Sequence, residues 1–166
     1  SVDTVITIPN VYAYRELAKA VPEPGDLRIS FVSDTAEFRS NLGVNNLSAE
    51  VADVAVSLLD TNGLVVARRS VSVPANGMRQ INHILRDLED ADDVTGREGA
   101  LLLHSSQPIR AWASQIDNVS LDPSLQRATS EGASRILVPS SALTERFSTA
   151  LVISNLANRD ARLKIV

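Results

Sequence analysis

Apolar and polar residues alternate with a period of two along most of this chain, the pattern of strands that bury one face. Val2, Val5 and Ile8, with Thr4, Ile6 and Thr7 among them, make a short β-rich run that Pro9-Asn10 ends. Residues 11–19 fit a brief helix, and the two prolines and glycine of residues 20–25 mark a loop, so residues 10–26 read as an inserted loop. Strands then follow in series. Leu27, Ile29 and Phe31 alternate with Arg28 and Ser30, and Phe38 leads into Leu42, Val44 and Leu47. Val51, Val54, Val56 and Leu58 alternate with small or polar residues. Asp60-Thr61-Asn62-Gly63 then predicts a tight hairpin, because Asn and Gly both tolerate positive φ. The return strand covers residues 64–73 and closes at Pro74-Ala75-Asn76-Gly77.

Residues 80–90 break the alternation. Ile81, Ile84, Leu85 and Leu88 recur at helical spacing, which predicts a short helical turn across one end of a sandwich, with an exposed acidic loop up to Gly99. Strands are expected at residues 100–104 and 109–116, separated by Ser105-Ser106-Gln107-Pro108. Residues 117–132 are polar and read as irregular, and Ile136-Leu137-Val138 resumes β character. No strand is followed by the long crossover that a parallel sheet requires. The fold class predicted is all-β: an immunoglobulin-like antiparallel β-sandwich with one short helical turn.

Hydrophobic residues form 44% of the 166, enough for a core without staples, and aromatics only 4%, so that core is built from Val, Leu, Ile and Ala. The absence of cysteine excludes a disulfide framework, a thiolate zinc site and a Cys nucleophile. Net charge is −4 and the longest basic run is Arg68-Arg69, which argues against a nucleic-acid partner. No apolar stretch reaches the roughly 18–20 residues that span a bilayer, so no membrane insertion is expected.

The chain also repeats itself. Residues 38–47 (FRSNLGVNNL) and 147–156 (FSTALVISNL) share Phe, Leu, Asn and Leu at the same offsets, and Val44 matches Ile153. Val54 and Val56 fall on Leu163 and Ile165, and residues 6–9 resemble 136–139. The period of about 109 residues is that of a sandwich-sized module. Residues 1–133 are therefore read as one module. Residues 134–166 are read as the first strands of a second repeat, either truncated or completed by a neighbouring chain through strand exchange or edge pairing. Leu151, Ile153, Leu163 and Ile165 are the predicted partner-binding residues.

Residues 109–123 (IRAWASQIDNVSLDP) resemble the terminal motif of a recurrent repeat of bacterial secreted and surface proteins: an alternating strand running into Asp-Asn-x-Ser/Thr-x-Asp-Pro. An apolar-Pro segment opens the next repeat in that family, as at residues 136–139, and an aromatic-initiated strand with a Leu-x-x-x-Asn pattern follows, as at residues 38–46 and 151–155. The resemblance covers residues 27–166 and implies immunoglobulin-like sandwiches with an extracellular or cell-surface location. The long insert between Pro9 and Phe38 departs from the pattern and puts the first strand's placement in question.

Candidate chemistry is sparse. Asp117, Asn118, Ser120 and Asp122 form the densest oxygen cluster. It suits either Ca²⁺, with Asp117, Asn118 and Asp122 as ligands, or an Asx turn that caps the strand end, and the turn is the favoured reading. Glu89, Asp90, Asp92 and Asp93 lack the Gly-centred spacing of a calcium loop and read as a solvated loop. His83 and His104 fall on different elements with no Gly-x-Ser-x-Gly elbow, and the seven glycines include no Gly-x-Gly phosphate loop. Asn118-Val119-Ser120 matches a glycosylation sequon, incidental in a bacterial protein. Trp112 faces away from Ile109 and either packs in the core or at an edge, the favoured reading, or anchors a partner or a sugar.

The function expected is that of a non-catalytic structural or interaction module, a homo-oligomer or one bound to a neighbouring repeat, serving adhesion or fibre assembly. The alternative is a carbohydrate- or ligand-binding sandwich, Ca²⁺-dependent in one version, attached to a secreted enzyme. No enzymatic motif and no other cofactor is indicated.

Overall fold

In the computed structural model, residues 23–88, 97–138, 143–145, 149–157 and 159–165 are described. The run at residues 2–8, the brief helix at 11–19 and the acidic group at 89–93 lie outside them. Eight strands form in chain order: β1 Gly25–Asp34, β2 Phe38–Asn46, β3 Ala52–Leu59, β4 Val65–Val73, β5 Met78–Ile81, β6 Arg97–Ser105, β7 Ile109–Asp117 and β8 Pro123–Arg127. The one helical element among the described residues is a 3-10 turn, Ile84–Asp87. The ladder runs β4-β3-β6-β1-β2-β7-β8, with β5 on β2, and every pairing is antiparallel.

β1 meets β2 only at Asp34 and Arg39. There the ladder folds over into two layers, β4-β3-β6-β1 and β5-β2-β7-β8, closing a β-sandwich. One layer buries Ile29, Val54, Val56, Leu101 and Leu103, and the other Leu42, Val44, Ile109, Ala111 and Ala113, in one continuous core. Ile84, Leu85 and Leu88 add to it from the helical turn. The all-β class and the helical turn thus stand as expected.

Some expectations need correction. β1 does not alternate throughout. Its register against β6 shifts between Ile29 and Val32, so that Val32 is buried and Phe31 only half-buried. The bulge frees the Phe31 N–H from the ladder, and Gln126 Oε1 accepts from it at 3.0 Å. Residues 123–127, read as irregular, form β8. An edge strand with one unpaired side can hold Pro123, and its single apolar residue, Leu125, leaves no alternation to detect. β5 is likewise short and polar, and joins β2 over Leu42–Asn45. Residues 136–138, expected to be β, form no strand. In the β3–β4 hairpin only Gly63 of the Asn62-Gly63 pair has positive φ. The Gly63 N–H donates to the Asp60 carbonyl and the Asp60 N–H to Leu64, so the loop is one residue longer than a two-residue turn.

Candidate functional site

Asn46 ends β2, and its buried side chain staples three segments. Nδ2 donates to the carbonyls of Glu50 at 2.6 Å, Val73 at 3.2 Å and Pro74 at 3.0 Å. Oδ1 accepts from the N–H and the hydroxyl of Ser48, both at 2.9 Å. Asn155, 109 residues later, makes the same local loop. Nδ2 donates to the carbonyl four residues on, at Arg159, at 2.6 Å, and Oδ1 accepts from the N–H two residues on, at Ala157, at 3.0 Å.

The surroundings of the two loops differ. Leu42, Val44, Val54 and Val56 are all 0% exposed, whereas their counterparts Leu151, Ile153, Leu163 and Ile165 are 54%, 44%, 65% and 78% exposed. No strand forms among the described residues of 134–165. The Ser154 hydroxyl of that stretch donates to the Ser30 carbonyl of β1 at 3.3 Å.

The oxygen cluster after β7 is occupied by turn hydrogen bonds. Asp117 Oδ1 accepts from the N–H groups of Val119 at 2.7 Å and Ser120 at 2.9 Å. Those backbone donors, Ser120 first, hold its carboxyl below the usual range. Asn118 Oδ1 takes a 2.6 Å bond from Arg39, and Nδ2 reaches the carbonyls of Ala36 and Thr35. Asp122 donates its N–H to Ser120 Oγ. This is the geometry of an Asx turn, locked by Leu121 at φ 63°. Among the described residues no three His, Cys, Asp or Glu side chains converge as metal ligands.

The histidines stand apart. His104 Nδ1 lies 2.7 Å from Asp26 in an exposed pair at the open end of β1 and β6. His83 has φ 51° ahead of the helical turn, with its N–H on Asn41 Oδ1. Its buried Nδ1 is 3.4 Å from Asp34, close enough for attraction but without hydrogen-bond geometry. Asp34 is 1% exposed and receives both Arg86 Nε at 2.9 Å and Nη2 at 2.8 Å. That two-pronged bond, and the charge behind it, raises the Arg86 pKa. The cluster pins the helical turn over the β1–β2 joint, and its geometry is structural.

Trp112 is neither in the core nor at a sheet edge. It lies on the outer face of the second layer, between the buried Ala111 and Ala113, and its strand partners are Gly43 of β2 and Arg127 of β8. A Cβ at Gly43 would overlap the Trp112 ring atoms Cζ2, Cε2 and Cη2, so the indole lies flat on the Gly43 backbone. The sequence hint was the isolated glycine inside a strand, which marks a close approach, but what approaches depends on the β2–β7 register.

These features define the class: an all-β antiparallel sandwich with a short helical turn. No protein-family model and no curated protein matches the chain. Among solved structures it is similar to the Anabaena sensory rhodopsin transducer, at 18% identity over 61% of this chain and 92% of that one, with a TM-score of 0.49. It is also similar to Thermotoga maritima 1070, at 12% identity over 63% and 90% of the two chains, with a TM-score of 0.45.

Proposed function

We propose that this chain is a non-catalytic interaction module of an extracellular bacterial repeat protein, which assembles through the apolar strands of its second repeat. One observation carries the reading: Asn46 and Asn155 close the same loop one period apart, while the four core positions around the first loop have exposed counterparts around the second. In the first module Leu42 and Val44 of one layer and Val54 and Val56 of the other are covered because the two paired layers pack face to face in one core. The second set needs equivalent neighbours, and a second copy or an adjoining module supplies them by strand addition. The gain is large, since burying an aliphatic side chain is worth roughly 1.5–3 kcal/mol.

Light scattering on the isolated chain, with and without residues 134–166, tests this. The full chain is expected to self-associate, and both the shortened chain and a Leu151→Ser, Ile153→Ser variant to stay monomeric. A shortened chain that still assembles, or a full chain monomeric at every concentration, refutes assembly through this segment. The Ca²⁺-dependent alternative gains no support from Asp117, whose Oδ1 is engaged by the turn.

A further inference from the structure

One edge of β1 is fully laddered to β6, but the other is paired only at its two ends. Arg28 exchanges both backbone bonds with Thr129, and Asp34 meets Arg39 of β2. Between those points the edge has no strand beside it among the described residues. The bulge between Ile29 and Val32 falls in this gap, and side chains serve the backbone there. Gln126 Oε1 accepts from the Phe31 N–H at 3.0 Å, and Ser40 Oγ from the buried Ser33 N–H at 2.9 Å. The Ser30 carbonyl accepts from the Ser154 hydroxyl at 3.3 Å. A stretch of strand edge without a neighbour is open to another extended segment.

Residues 151–156 are the segment that reaches it. Ser154 and Leu156 are half-buried, whereas Leu151, Val152, Ile153 and Asn155 are exposed. In its own chain the segment therefore touches β1 through a hydroxyl and leaves its apolar side chains uncovered. Every described residue from 130 to 153 is exposed as well, and that stretch spans up to roughly 80 Å when extended. It is long enough to reach β1 of a neighbouring molecule.

We infer that the gap in β1 is the acceptor for residues 151–156, and that two copies exchange these segments, each lying on β1 of the other. The inference rests on the assembly reading above and adds the place where the segment goes. The occupant is the one seated there already, this chain's own segment. Exchange costs little, because the same Ser154–Ser30 bond forms in either arrangement. A two-fold exchange also brings the connecting stretches together between the copies, where Leu151, Val152 and Ile153 of one cover those of the other.

The chain has no cysteine, so introduced cysteines mark the contact cleanly. A Ser30→Cys chain and a Ser154→Cys chain, one carrying a mass tag, are mixed and treated with a short bismaleimide. A linked heterodimer in clear excess over both homodimers is expected at concentrations where light scattering shows association. The Ser30→Cys, Ser154→Cys double variant should link mainly between chains there. Ser154→Ala should raise the dissociation constant severalfold, with circular dichroism unchanged. Should a cysteine variant misfold, Ser154→Ala decides the matter by itself. A full chain that is monomeric at every concentration refutes the assembly reading and this inference with it. A chain that assembles without excess heterodimer, links only within one chain in the double variant, or associates as tightly with Ser154→Ala has its acceptor elsewhere, and this inference alone falls.

Discussion

Replacing Asn46 by Ala removes one side chain that holds the β2–β3 connection against the β4–β5 connection. Three carbonyls lose a donor, and Ser48 loses its acceptor. The amide has two protons for three carbonyls, so those bonds count as about two. The Glu50 and Pro74 carbonyls are part-buried and regain water, but the bond to the Val73 carbonyl is buried. At about 1 kcal/mol for each net bond, plus about 1 kcal/mol for a carbonyl left dry, the loss comes to about 3 kcal/mol. That is a large share of the roughly 5–15 kcal/mol that holds a domain. At about 4 °C per kcal/mol it lowers Tm by about 12 °C.

Urea unfolding followed by Trp112 emission measures it, and the slope with denaturant should not change, since no surface is newly exposed. Asn46→Asp is a sharper variant, because it keeps an acceptor for Ser48 but turns carboxylate oxygens toward carbonyl oxygens. Its carboxyl pKa is then raised by burial, so the damage is greatest at neutral pH and eases as acid protonates the group. Asn155→Ala, in an exposed loop of the same shape, should change the stability of the sandwich by less than about 0.5 kcal/mol. An Asn46→Ala loss as small as that of Asn155→Ala would refute the idea that the staple, rather than the local turn, does the holding.

Gly43→Ala places a methyl group where the Trp112 ring lies, so the indole must lift from the sheet. A cost of about 1–3 kcal/mol and a shifted emission maximum are expected, and an unaltered spectrum would contradict the stacking. Asp117 has a folded pKa below its unfolded value, so its stabilisation is present above the unfolded pKa and disappears as pH falls through the folded one. Asp117→Asn should therefore lower Tm at neutral pH and flatten the loss of Tm in acid. Parallel Tm–pH curves for the variant and the parent would show that the turn does not depend on the charge.

Much of the fold was legible because burial on one face leaves a period-two trace. β3 and β7 alternate cleanly, as Ala52, Val54, Val56 and Leu58, and as Ile109, Ala111 and Ala113, are buried in turn. The edge strands were not legible, and the reason is physical. β8 and β5 pair on one side only and add just Ile81 to the core, so their sequences carry little alternation. The β1 bulge escaped for a related reason. Leu27, Ile29 and Phe31 look regular, and only pairing with β6 shows that the backbone slips before Val32. The stacking of Trp112 was not legible either, since it depends on Gly43, 69 residues earlier, across a ladder.

Residues 151–165 show the limit from the other side. Leu42 and Leu151 sit in segments that share Phe, Leu, Asn and Leu at the same offsets, and both lead into the same asparagine loop. One is wholly buried and the other more than half exposed. Local pattern therefore sets which side chains turn inward together, and it sets the loop that ends the strand, but it does not supply the opposing sheet. Burial is a property of the assembled neighbours. A period-two stripe is thus a statement about what a segment requires, and residues 151–165 have that requirement without a strand to meet it among the described residues. The asparagine loop forms at both Asn46 and Asn155 because its bonds close within five residues, and it needs no neighbour to do so. What the described residues of 151–165 lack is strand pairing, the part of the fold that only another chain segment can provide.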